Sequence, residues 1–478
     1  MDRRSFLRWT GAAAATLLTR CPSPRGGLLG SAAWAAPAPG GPGGGGGKAP
    51  RPDIVFILAD DLGHCDVGFT GGKVIRTPNL DKLAAAGAVL KQFYVQPVCS
   101  PTRSSLMTGR YPIRQGLQVG VIRPHSQYGL PLEERTLAGA LRQAGYTTAV
   151  CGKWHLGDFD KAYWPNARGF DHWYGHLFGA LDYNTHIRDG ELDWYRNGEK
   201  CKDEGYTTHL VAREAVDVIA RQPKDKPLFL YVPFNAVHSP WQVPGKYEQP
   251  YGELKGARRT YAGMVAALDE AVGQIVAAVE KSGRRGNTLF VFSSDNGGPA
   301  PGRVTDNGPL RAGKGTVYEG GTRVCAFATW DGHLKAGSSV EAPLHMVDWY
   351  PTLLTLAGAP LDQPLPLDGR DAWDAIARGG PSPHEDILLN AAPGGGALRA
   401  GDWKIVVHNR GDGGADGAAK GKKAARKAAP RPGVELYNLR DDIGEKNDLA
   451  AAHPDKVKEL RRRYDAYAQA AVPPRNSE

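Results

Sequence analysis

The sequence predicts an α/β fold: a large, mostly parallel sheet sandwiched by helices, followed by a small C-terminal antiparallel sheet with one helix. Three observations carry this expectation. Short β-type apolar runs alternate with helix-period segments through the body of the chain, the pattern of a parallel sheet covered on both faces. Polar residues follow each of these runs, as they do where ligands bind at the carboxyl edge of an open sheet. Beyond about Pro381 the texture changes to hairpin-type strands and a final amphipathic helix.

Taken in order, residues 1–35 open with Asp2-Arg3-Arg4-Ser5-Phe6-Leu7-Arg8, continue through a mildly apolar stretch at 12–18 and reach Ala33-Trp34-Ala35 as a small-x-small cleavage site. That is the layout of a twin-arginine signal peptide, so export through the twin-arginine translocase to a bacterial periplasm or the exterior is expected. Residues 36–51 are rich in Pro and Gly and read as a flexible linker. A catalytic domain at 52–380 then carries strands at 54–58, 147–150, 228–232 and 289–292, with helices at 79–86, 136–144, 208–221 and 257–282. Asp60 and Asp61 follow the first strand, Lys153 and His155 the second, Asn235 and His238 the third, Asp295 and Asn296 the fourth. In the C-terminal subdomain at 381–478, residues 397–407 read as a hairpin, 434–439 as another strand and 455–471 as a helix using Val457, Leu460, Tyr464 and Tyr467. The Gly/Ala/Lys tract at 410–432 reads as a disordered insertion between two strands.

Composition narrows the function classes. The chain of 478 residues is 41% hydrophobic, enough to bury a large core, and no apolar run approaches the roughly 20 residues of a membrane span. Its net charge of +9 is local: residues 1–35 contribute +4 and Lys420, Lys422, Lys423, Arg426, Lys427 and Arg431 contribute +6, which leaves the remainder at −1. A near-neutral body argues against nucleic-acid binding, although the basic tract could touch an acidic polysaccharide. Cys21 lies in the signal region, and the odd number formed by Cys65, Cys99, Cys151, Cys201 and Cys325 leaves at least one thiol outside any intramolecular disulfide. Their spacing matches no zinc site.

Asp60-Asp61 and Asp295-Asn296 offer only oxygen ligands, which suits Ca²⁺ or Mg²⁺ rather than zinc or copper. Either pair alone also fits a helix cap or a solvated turn. Cys99 stands just ahead of Pro101-Thr102-Arg103-Ser104-Ser105-Leu106-Met107-Thr108, a helix entered through proline. A side chain there meets unpaired backbone N–H groups and the positive end of the helix dipole, and Arg103 returns on the same face four residues later.

Cys99-Ser100-Pro101-Thr102-Arg103 with Thr108-Gly109-Arg110, and the run Gly145-Tyr146-Thr147-Thr148-Ala149-Val150-Cys151-Gly152-Lys153-Trp154-His155-Leu156-Gly157, together resemble the two signatures of the type I sulfatases of the alkaline phosphatase superfamily. The resemblance runs from about residue 52 to 449. It implies that a separate maturation enzyme oxidises Cys99 to formylglycine, and that Asp60, Asp61, Asp295 and Asn296 hold one Ca²⁺ beside the hydrated residue 99, itself an oxygen ligand. It further implies that one hydroxyl of that hydrate attacks sulfur to leave a covalent sulfate ester, which the second hydroxyl then expels. In this scheme Arg103 stabilises the hydrate, while Lys153 and Lys314, the latter from Gly313-Lys314-Gly315-Thr316-Val317-Tyr318-Glu319-Gly320-Gly321, bind sulfate oxygens. His155 takes the proton of the second hydroxyl, and His238, from Asn235-Ala236-Val237-His238-Ser239-Pro240, protonates the leaving oxygen. Hard-cation chemistry supports the modification independently, since an aldehyde hydrate offers oxygen where a thiolate would be a poor ligand.

Within that family, Ile75-Arg76-Thr77-Pro78, Thr108-Gly109-Arg110-Tyr111-Pro112-Ile113-Arg114, Arg168-Gly169-Phe170-Asp171, Asp182-Tyr183 and Tyr261-Ala262-Gly263-Met264-Val265 are most similar to arylsulfatase B, the N-acetylgalactosamine 4-sulfatase, and its relatives. A sulfated carbohydrate, such as a glycosaminoglycan fragment, or an aryl sulfate is the implied substrate. Two alternatives stand beside this. Phosphodiester and phosphonate monoester hydrolases of the superfamily share the sheet but tend to carry His where this chain has Asn296. A non-enzymatic surface protein would bind acidic glycans through residues 420–431.

Overall fold

The computed structural model describes residues 51–409 and 433–475; the expected signal peptide, the linker up to residue 50 and the basic tract lie outside them. The described residues form one compact unit. Its main sheet has ten strands, the large sheet expected, with antiparallel pairings mixed in at its flanks. Five parallel strands form the centre in the order Thr288–Ser294, Asp53–Ala59, Leu228–Pro233, Thr147–Lys153 and His172–His176. Antiparallel pairings join Ala326–Thr329 to one side of this block and Tyr195–Arg196 to the other. These flanking strands are two to four residues long, too short to show an apolar period.

Each expected strand is present, and the carboxyl ends run further than the apolar pattern did. Thr147–Lys153 extends to Lys153 itself. Alternation along Asp53–Ala59 divides the core. Ile54, Phe56 and Leu58 pack with Leu137, Leu141, Trp349 and Leu353 on one face, whereas Val55 and Ile57 pack with Leu210, Val211, Leu268 and Val272 on the other. Each such large side chain contributes about 1.5–3 kcal/mol by leaving water. The covering helices are Pro78–Ala85, Leu137–Gln143, Thr207–Arg221 and Gly256–Lys281, all where the period placed them. Thr136 caps the second, its hydroxyl oxygen accepting the Gly139 N–H at 3.0 Å. Against the expectation that no segment approaches a membrane span, Gly256–Lys281 is by itself long and apolar enough to cross one, yet Tyr261, Met264, Val265, Leu268, Val272 and Ile275 on it are buried in the core.

The C-terminal sheet has four antiparallel strands, Ile387–Ala392, Gly395–Ala400, Trp403–His408 and Gly433–Asn438. The expected hairpin turns between Ala400 and Trp403. Ile387–Ala392 adds an edge strand that the sequence reading left out. Pro454–Gln469 covers the sheet through Leu460 and Tyr464, and the same cluster takes in Tyr111, Ile113 and Val347 of the larger body. None of the five described cysteines is in a disulfide.

Candidate active site

Strand register brings the polar residues to one edge. Asp60 N–H donates to the Ala236 carbonyl at 2.9 Å and Asp295 N–H to the Ala59 carbonyl at 3.0 Å, so the residues after three neighbouring strands are laced together. Asp61 turns away in the left-handed region at φ +62°. The helix Cys99–Thr108 starts two residues earlier than proline alone suggests, and no side chain caps it. Cys99 therefore occupies its first turn, among backbone N–H groups without helical partners. The thiol is 2% exposed, and burial raises its pKa, so as cysteine it stays protonated and weakly nucleophilic.

Arg103 is the hub. Its Nη2 donates to Asp60 Oδ2 at 3.0 Å and to Asp295 Oδ2 at 2.7 Å, its Nε to Asp295 Oδ2 at 3.2 Å, and its Nη1 to the Lys153 carbonyl at 3.0 Å. Lys153 Nζ reaches Asp60 Oδ2 at 2.5 Å. Lys314 Nζ lies 2.7 Å from Asp61 Oδ1, and Asn296 Nδ2 donates to the same oxygen at 2.7 Å. Three carboxylates thus stand among three cations, all buried or nearly so. Burial alone would raise the Asp60 pKa, but Lys153, His238 and Arg103 outweigh it and hold the group well below the usual carboxylate range. Asp295 is pushed up to about 6 by burial and by the negative charge of Asp60 beside it.

The residues fit a hard cation. Ligand atoms of Asp60, Cys99 and Asp295 lie within 4.8 Å of one another, as do those of Asp60, Asp61 and His238. Asp60 Oδ1 and Asn296 Oδ1 are buried without a hydrogen-bond partner. Two orphaned acceptor oxygens are costly unless something positive meets them, and oxygen donors suit Ca²⁺ or Mg²⁺. The sulfur of Cys99 is the one soft atom of the set and the poorest match to a hard cation.

Two histidines complete the edge. His155 Nε2 donates to the Ile122 carbonyl at 2.8 Å, which leaves the lone pair on Nδ1, and Nδ1 is buried without a partner. Burial first, then Lys153 and Arg103, hold this imidazole well below its usual pKa, so it is a neutral base. His238 Nδ1 donates to the Ser239 carbonyl at 2.5 Å, and its Nε2 lies 3.6 Å from Asp61 Oδ2. Burial and Lys314 lower its pKa to about 4. The fold thus brings together every candidate active-site residue singled out in the sequence. The Tyr183 hydroxyl, noted in the sequence only as part of a family-like stretch, lies 2.8 Å from the carbonyl oxygens of both Asn235 and His238 and holds that loop. Gly179, which was not singled out, lies against the His155 ring. It acts through space from a loop whose sequence shows no period, so no local pattern could flag it.

A carboxylate-rich centre at the carboxyl edge of this sheet, next to a buried residue at a helix start and flanked by cations, defines a hydrolase of anionic esters with the alkaline-phosphatase-like fold. The chain belongs to the sulfatase family: the family model described as Sulfatase matches residues 52–359. Arylsulfatase J of Mus musculus is 38% identical over 464 residues, covering 89% of this chain and 77% of that protein. N-acetylgalactosamine-6-sulfatase of Mus musculus is 35% identical over 356 residues, covering 69% of this chain and 67% of its own. Among solved structures, Ps i-CgsB in complex with k-i-k-neocarrahexaose superposes with a TM-score of 0.79 at 34% identity, over 89% of this chain and 94% of that one. The protein is a sulfuric ester hydrolase.

Proposed function

We propose that this sulfatase removes sulfate from a sulfated carbohydrate, with residue 99 matured to formylglycine and one Ca²⁺ held by Asp60, Asp61, Asp295 and Asn296. The observation that carries the reading is the buried cluster of oxygen ligands, two of them unpartnered, around a single sulfur at a helix start. Bound there, the cation supplies a positive charge to residue 99 and to the sulfate group. As a hydrated formylglycine, residue 99 would supply two hydroxyls on one carbon, the chemistry of a nucleophile with a built-in release step.

The chain's own residues account for the remaining chemistry. Arg103 fixes Asp60 and Asp295 and faces residue 99 from the next helical turn. Lys153 and Lys314 stand on two sides of the carboxylates and offer their charge to sulfate oxygens. Neutral His155 accepts a proton at Nδ1 during release of sulfate. His238 donates from Nε2 to the leaving oxygen. Its low pKa arises partly from Lys314, and a sulfate ester on Lys314 screens that charge and returns the imidazole toward its protonated form.

The substrate class draws on relatives, one named for N-acetylgalactosamine 6-sulfate chemistry and one solved with a neocarrahexaose. A formylglycine-generating enzyme and, from Arg3-Arg4 with Ala33-Trp34-Ala35, the twin-arginine translocase are the partners this reading requires. Turnover of 4-nitrophenyl sulfate against a phosphodiester analogue tests it. The sulfate ester is expected to be preferred at least about tenfold in kcat/KM, and a chelator is expected to abolish turnover until Ca²⁺ is restored. Preference for the diester, or full activity in chelator, contradicts it.

A further inference from the structure

Lys314 is not held by its own loop alone. Residues 311–321 wrap against Gly297 and Gly298, directly after the Asp295-Asn296 pair. Lys314 N–H donates to the Gly298 carbonyl at 3.3 Å and Gly297 N–H to the Gly321 carbonyl at 3.0 Å, while Gly315 N–H donates to the Pro97 carbonyl at 2.9 Å, two residues before Cys99. A Cβ on Gly297 would lie 1.7 Å from the Gly320 carbonyl oxygen, so the two backbones touch. The other side of this loop rests on charges from the C-terminal sheet. Lys404 is fully buried, with Nζ 2.9 Å from Glu319 Oε1 and 2.8 Å from Glu445 Oε1. Glu445 Oε2 in turn accepts the Glu319 N–H at 2.7 Å. Glu319 Oε2 accepts the Tyr94 hydroxyl at 2.7 Å. At the loop's other end, Arg311 Nη1 donates to the Glu445 carbonyl at 3.0 Å and to the Tyr437 hydroxyl at 2.8 Å, and its guanidinium lies 3.8 Å over the Tyr318 ring.

We propose that Lys404 and Glu445 are positioning residues for Lys314: the C-terminal sheet clamps Glu319, five residues along, and so sets where the Lys314 ammonium meets sulfate. The proposal rests on the reading of Lys314 as a sulfate ligand. Its physical basis is that a buried lysine between two carboxylates is a rigid, direction-fixing arrangement. Arg323 Nη1, 3.5 Å from Glu319 Oε2, brings the cluster to two cations and two carboxylates, so removing Lys404 or Glu445 leaves an uncompensated charge that the loop must move to relieve. A shift of about 1 Å at a group that orients substrate lowers turnover by as much as about 10²-fold. The C-terminal sheet thus shapes the active site without touching substrate.

The test uses the matured full chain. KM and kcat on 4-nitrophenyl sulfate, and the inhibition constant of inorganic sulfate, are measured for Lys404→Met, Glu445→Gln, Lys314→Ala and the double variant Lys404→Met with Lys314→Ala. Leu460→Ala, in the cluster on the opposite face of the same sheet, controls for lost stability. Lys404→Met is expected to raise KM and the sulfate inhibition constant about tenfold with a smaller loss in kcat, and Glu445→Gln to shift both the same way by less. In the Lys314→Ala background, Lys404→Met is expected to add under about twofold, because its effect runs through the missing ammonium. Leu460→Ala lowers Tm and leaves both constants in place. If Lys314→Ala leaves sulfate inhibition unchanged, the sulfate-ligand reading falls and this proposal with it. If Lys314→Ala weakens sulfate but folded Lys404→Met matches wild type, or the two effects simply add, the clamp is overturned while the ligand reading stands. Should Lys404→Met fail to fold, Glu445→Gln carries the same comparison, and wild-type constants in it overturn the clamp.

Discussion

Gly179 is a glycine because a ring occupies the place of its side chain. A Cβ there would lie 2.5 Å from His155 Cε1, and the same loop's Leu177 carbonyl accepts the His155 N–H at 3.1 Å. Gly179→Ala is expected to fold normally and lose roughly 10- to 100-fold in kcat as the imidazole tilts away from its proton partner, read by steady-state kinetics alongside Tm; wild-type kcat in a folded variant contradicts it. The contrast with Cys99 shows what a sequence holds at this scale. Cys99, Pro101 and Arg103 were legible because a helix start and its next turn are written in consecutive residues. Lys153 and the two oxygen-ligand pairs were legible because each follows a β-type run. Gly179 comes from the loop after His172–His176, a strand without a clear apolar pattern, and its partner His155 lies 24 residues away in the chain. Tyr183, on the same loop, was legible as part of a family-like stretch but not as the residue that holds His238, 55 positions on.

At the scale of elements, His345 does the work of a cap. Its Nδ1 accepts the Val347 N–H at 3.2 Å while its own N–H donates to Asp348 Oδ2 at 2.8 Å, ahead of the helix Trp349–Leu356 that packs under the central strand. Burial lowers its pKa to about 3, with His384 adding to the drop and Asp348 opposing it. The folded chain therefore keeps His345 neutral where the unfolded chain, with a value near 6.5, takes up a proton. That contribution to stability is complete above about pH 6.5 and is lost as pH falls from there toward 3. His345→Asn retains a good capping acceptor and cannot titrate, so acid destabilisation at pH 5 is expected to be smaller by on the order of 2 kcal/mol than in wild type. Denaturant melts of both proteins at pH 7 and pH 5 measure it, and equal acid losses contradict it. The long strands and helices were legible from period, whereas Ala88–Leu90 and Ser338–Val340, three residues each, were not. These short strands pair at the sheet's flank, where tertiary contact rather than local pattern decides the conformation.

For the whole molecule, the expected large sheet sandwiched by helices is present with its parallel strands at the centre, and what the sequence did not show are the flanking strands of a few residues, too short to leave a signature. The charge distribution leads to a further expectation. His408 pairs with Gly433 across the C-terminal sheet, so the chain leaves and re-enters at one point of the ladder. Replacing residues 410–432 with a single glycine places Asn409-Gly between the paired residues, a two-residue turn suited to a hairpin. Tm and kcat/KM on a sulfated glycan are expected to stay within about twofold of wild type for kcat/KM; a large loss on glycan with 4-nitrophenyl sulfate turnover intact assigns the basic residues Lys420 to Arg431 to substrate binding instead. The molecule as a whole gathers oxygen ligands and cations from five chain segments around residue 99. Its central claim concerns what that residue becomes, and mass spectrometry of the tryptic peptide 92–103 from fully active enzyme tests it most directly. Maturation predicts that sulfur and two hydrogens are lost and one oxygen gained at Cys99. An unmodified cysteine in protein of full specific activity would contradict it.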